Sequence, residues 1–91
     1  MTEVCYRNGR KYEKELSDNE VKFIEEMRKR GFTVKLCYHE HYIPTYELTK
    51  DNVIAWCKLY TDPRIRVDRQ IEDFMKMYNL KVKIKKLHGE V

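Results

Sequence analysis

The densest run of chemically versatile side chains is Cys37-Tyr38-His39-Glu40-His41. In an extended segment alternate residues point the same way, so Cys37, His39 and His41 share one side, each about 6.5–7 Å from the next. Thiolate sulfur and neutral imidazole nitrogen are zinc ligands, and His88 or another cysteine is available to complete a set of four. Structural zinc sites usually draw on paired ligands in tight turns such as C-x-x-C, and this chain has no such pair. Without a metal, His39 and His41 titrate near neutral pH and are candidate general acid and base for a nuclease. The competing reading is that the two histidines occupy a polar, solvated sheet face, and on that reading no cofactor is expected.

Other enzyme grammar is missing from the sequence. It contains no G-x-x-x-x-G-K-[ST] loop, G-x-G-x-x-G turn, H-E-x-x-H pair or G-x-S-x-G elbow, and three glycines in all. The carboxylates Glu25 and Glu26, and Glu72 and Asp73, are neighbours in sequence and diverge on a helix, which leaves them as solvated charges. These features favour a small non-enzymatic binding module.

Three basic elements point to nucleic acid, or to an acidic surface that competes with it. They are Arg7, Arg10 and Lys11 at the tip of a hairpin, the cluster Arg64, Arg66 and Arg69, and the row Lys81, Lys83 and Lys85. Arginine and lysine bind phosphate without reading sequence, and the seven tyrosines are candidate stacking surfaces. Lysines on an outer strand also guard against aggregation, so the last row has an ordinary structural explanation as well. The rival class is a protein-binding inhibitor or adaptor, of the size that phages and mobile elements encode, using Tyr42, Pro44 and Tyr46 as an aromatic loop patch.

These residues need elements to hold them. Asn8-Gly9 predicts a type I′ hairpin, with Tyr6 opposite Lys11 and Cys5 opposite Tyr12. Ser17 followed by Glu20 is a capping box, Leu16 and Val21 form a hydrophobic staple, and Gly31 stops the helix that starts there. Phe32 to Tyr42 alternates with period two, which predicts a strand. Thr49 reads as the N-cap of a second helix to Tyr60, and Asp62-Pro63 as the start of a third to Tyr78. Those two would pack as antiparallel helices or, with Arg64, Arg66 and Arg69, as a helix-turn-helix. Leu80, Val82 and Ile84 alternating with Lys81, Lys83 and Lys85 predict a final strand with a lysine face.

The expected fold is therefore α+β: an N-terminal β-hairpin, then α-β-α-α-β, with about four strands in one sheet and helices on one face. Lys35, Cys37, His39, His41 and the final lysines would occupy the other face. Residues 1–91 are too few for two cores, so one domain is expected. Charged residues make up 37% and apolar residues 42%, enough of the latter to fold. No apolar run approaches the ~20 residues of a membrane span, and Met1 to Lys14 is too polar for a secretory signal. The expectation is a cytoplasmic protein whose three cysteines, Cys5, Cys37 and Cys57, stay reduced. The formal net charge of +4 is uneven. Residues 1–57 carry ten basic and ten acidic side chains, and residues 58–91 nine and five, so the whole excess is C-terminal.

Overall fold

The computed structural model describes residues 2–7, 10–38, 43–60 and 62–87, with side chains for 13, 15–37, 43–60 and 62–87. It is α+β, in the order β1 (Thr2–Arg7), β2 (Arg10–Glu15), α1 (Asp18–Lys29), β3 (Thr33–Tyr38), β4 (Pro44–Lys50), β5 (Val53–Lys58) and α2 (Val67–Leu87). The sheet runs β2-β1-β3-β4-β5, antiparallel throughout except where β1 lies parallel to β3. Five strands and two helices replace the expected four and three.

The first half follows local chemistry. β1 and β2 pair with Tyr6 opposite Lys11 and Cys5 opposite Tyr12; the Asn8-Gly9 turn itself lies outside the described residues. Ser17 caps α1 by accepting the Glu20 amide at 3.3 Å. Its other end is a Schellman turn, in which Phe32 N–H donates to the Met27 carbonyl and Gly31 N–H to that of Arg28. Gly31 sits at φ +92°, a backbone conformation in which a Cβ is strained, so glycine is the residue that permits the turn.

The second half departs from expectation twice. The helix expected over 49–60 is instead the β4–β5 hairpin. Asp51 and Asn52 sit at φ 52° and 64°, the two left-handed residues of a two-residue type I′ turn, which Asp and Asn tolerate better than other non-glycine residues. Beyond the turn Val53, Ala55 and Leu59 are buried while Ile54, Trp56, Lys58 and Tyr60 are exposed, a period of two. Without that helix there is no helix-turn-helix.

The strand expected at 80–84 is instead the end of one 21-residue helix, α2. Its buried stripe Val67, Ile71, Phe74 and Tyr78 continues to Val82, which packs against the core. No proline or glycine occurs between Pro63 and Gly89, so nothing local stops the helix. Lys81, Lys83 and Lys85 are thus helical, and the lysine-faced strand does not exist.

Both helices cover one face of the sheet. Leu36 with Tyr46 and Cys57, and Val34 with Leu48 and Ala55, form cross-strand rows facing them. Phe23 meets Tyr46 with ring centroids 5.1 Å apart, and Phe32 meets Phe74 and Tyr78 edge-on at 5.7 and 4.8 Å. The other face carries Lys35 and Cys37, as expected, together with Glu47, Ile54 and Trp56, and has no helix over it among the described residues. No helix among the described residues is long and apolar enough to cross a membrane.

Candidate nucleic-acid interface

The register separates the basic elements. β1 and β3 run in the same direction, so Arg7 and Arg10 close the hairpin at the end of the sheet where β3 finishes. α2 begins at that end, since Gln70 bonds Tyr60, just past β5. The hairpin and α2 nonetheless lie at opposite edges, four strand spacings or roughly 19 Å apart. Lys81, Lys83 and Lys85 are at the far end, beside the β4–β5 turn. The three elements do not form one patch. The side chains of Arg7, Arg10 and Lys11 lie outside the described residues.

The start of α2 neutralises itself. Asp62 Oδ2 accepts from Arg64 Nη2 at 2.8 Å, and Asp62 Oδ1 accepts from Arg64 Nε at 3.2 Å and from the Arg64 amide at 2.9 Å. These bonds hold the Asp62 carboxyl below its usual range. Lys22 of α1 reaches Asp68 at 3.0 Å, with Arg66 at 3.7 Å from the same carboxylate; Lys22 is the main reason that Asp68 too is held low. Arg69 lines a groove between the helices in which Arg30, Arg66 and Lys76 face Glu26, Asp68, Glu72 and Asp73. Positive and negative groups balance there, so Arg64, Arg66 and Arg69 are not an electropositive surface.

The opposite end is different. α1 and α2 run in the same direction, because the Lys22–Asp68 pair joins their first halves and both finish beside the β4–β5 turn. Lys50 Nζ donates to the Arg30 carbonyl at 2.8 Å, with its ammonium 5.4 Å from the Phe32 ring centre. Lys81 Nζ donates to the Ile54 carbonyl at 2.7 Å and Lys85 Nζ to that of Asn52 at 2.9 Å. The Tyr78 hydroxyl donates to the Lys50 carbonyl at 3.2 Å; burial, and then the charge of Asp51, pushes its pKa up.

These tethers join the basic last turn of α1 (Arg28, Lys29 and Arg30) to Lys50 and to the lysines of α2 (Lys81, Lys83, Lys85 and Lys86). Among the described residues the acidic groups here are Asp51, exposed, and Glu26, which pairs with Arg30 at 3.3 Å. Two helix C-termini add about half a negative charge each. That is too little to cancel these basic groups, so the described residues carry a positive surplus. Each tethered ammonium uses one of its three donors on a carbonyl. Lys29, Lys83 and Lys86 make no ion pair among the described residues.

The remaining candidates fare less well. Pro44 and Tyr46 are buried in β4, Tyr46 completely, because the alternation that places Leu48 in the core also turns Tyr46 inward. They cannot form an aromatic loop patch; Tyr42 lies outside the described residues, as do His39, His41 and His88. Among the described residues no three His, Cys, Asp or Glu side chains gather as a metal site. Cys37 and Cys57 are free thiols whose pKa values burial pushes up, that of Cys57 to about 11. Both are therefore protonated at neutral pH and are poor nucleophiles as they stand.

Sequence reasoning missed Arg28, Lys29, Arg30 and Lys50 as partners of the α2 lysines. The run Arg28-Lys29-Arg30 suits the negative end of its own helix dipole, and only the parallel course of the two helices adds it to the second. No protein-family model matches the chain, and no curated protein and no solved structure is similar to it.

Proposed function

We propose that this protein is a non-enzymatic binding module that engages nucleic acid by its phosphate backbone. Contact is made at the end where α1, the β4–β5 turn and α2 finish together. One observation carries the reading: the Lys50, Lys81 and Lys85 tethers gather basic groups from three segments while, among the described residues, few acidic groups accompany them. Lys83 and Lys85 are proposed to contact phosphate together with Arg28, Lys29 and Lys86. Arg64 and Arg66 are not part of this contact, because Asp62 and Asp68 already occupy them.

The test is binding of fluorescent single-stranded and duplex DNA and RNA across a salt series, with the nucleic acid checked for cleavage. Lys83→Gln with Lys86→Gln lowers the salt slope by up to about two, one for each lost phosphate contact. Arg64→Gln with Arg66→Gln leaves it nearly unchanged. Absence of binding at low salt sinks the proposal, and cleavage returns attention to His39 and His41.

A further inference from the structure

β5 is an edge strand, and α2 covers that edge at both ends but not in the middle. The β4–β5 ladder closes at the two-residue turn, so the hydrogen-bonded pairs are Lys50–Val53, Leu48–Ala55 and Tyr46–Cys57. The amides and carbonyls of Ile54, Trp56, Lys58 and Tyr60 then point away from the sheet. Lys81 occupies the Ile54 carbonyl, and the Gln70 side chain takes both groups of Tyr60 at 2.8 and 3.0 Å. Between these caps, among the described residues, Trp56 and Lys58 stay open: their outward groups meet one long contact, from Cys57 Sγ to the Lys58 carbonyl at 3.7 Å. Ile54, Trp56, Tyr60 and Met77, each 40–53% exposed, surround this window.

We propose that the window binds a second copy of the same chain, with the two β5 strands pairing antiparallel about a two-fold axis at Cys57. That axis sets Trp56 against Lys58 of the second copy and Lys58 against its Trp56. The four open residues exchange four backbone hydrogen bonds, and none of the caps moves. A longer foreign strand would have to displace Lys81 or Gln70, so the width of the window favours the self-pairing.

The side chains agree with this register. Trp56 and Lys58 share the helix-free face, and a two-fold brings each indole beside an ammonium with no like charges opposed. Each partner thus offers the other the group it receives, the reciprocal complementarity that an isologous contact requires.

Sedimentation velocity on the intact protein, from about 10 μM to about 1 mM, tests the proposal. The parent chain shows a reversible monomer–dimer equilibrium. Lys58→Pro, which removes an outward amide and no inward one, is monomeric with an unchanged circular dichroism spectrum. Lys58→Glu, which keeps every backbone group and removes the ammonium beside Trp56 of the second copy, weakens the dimer about tenfold. If Lys58→Pro does not fold, Lys58→Glu decides alone. A parent that stays monomeric at about 1 mM, or dimers of Lys58→Pro or Lys58→Glu as tight as the parent's, would each overturn it.

Discussion

The side-chain amide of Gln70 stands in for a sixth strand, accepting the Tyr60 N–H at 2.8 Å and donating to the Tyr60 carbonyl at 3.0 Å. One side chain thereby satisfies both groups that an edge residue would otherwise offer to a neighbouring chain. Gln70→Leu removes both bonds and costs about 1–2 kcal/mol at this exposed position. Gln70→Glu keeps the acceptor, loses the donor and falls between the two in a urea titration. Equal stability of all three proteins would mean that the pairing contributes nothing.

Asn52 distinguishes a hairpin from a helix at 49–60. At φ 64° it is in the left-handed region, where a β-branched residue is strained, so Asn52→Val costs about 1–2 kcal/mol. Asn52→Gly is neutral or slightly stabilising. In a helix the order would invert, because glycine is the worse helix former of the two.

Gly31 makes the same demand at the end of α1. Gly31→Ala places a methyl at φ +92°, with Lys50 Cε 3.4 Å away, and lowers the stability by about 1–2 kcal/mol. Thermal unfolding measures the loss.

Cys57 sets a limit on alkaline stability. Its folded pKa of about 11 exceeds that of the unfolded thiol, so below the unfolded value both states are protonated and the contribution is complete. Stability falls as pH rises from about 9, the ordinary thiol value at which the unfolded chain is half deprotonated, to about 11. The loss is of order 2–3 kcal/mol by linkage. Tyr78 adds to it in the same direction, since its folded pKa is also raised. Cys57→Ala has a flatter profile over this range in urea titrations; an identical slope would show that the thiol is not its source.

Several elements were legible in the amino-acid sequence because neighbours a few residues apart decide them. Ser17 with Glu20 starts α1, Gly31 with its positive φ ends it, and the alternation Phe32, Val34 and Leu36 makes β3. The pairing of Cys5 with Tyr12 follows from the length of the hairpin. From Thr49 to Tyr60, by contrast, the apolar run suits either period, and Thr49 resembles a helix cap as readily as a strand residue. Pairing with β4 decided it, because Leu48 opposite Ala55 and Tyr46 opposite Cys57 bury one face across two strands at once. From Leu80 to Lys85 lysine alternation imitated a strand, but Val82 could reach the core only by continuing α2. The candidate interface was the least legible part. Arg30, Lys50 and Lys85 lie far apart in the chain, and what brings them together is the parallel course of two helices over the same sheet face. That course is set by burial of Phe23, Ile24, Phe74 and Tyr78, not by the charges themselves.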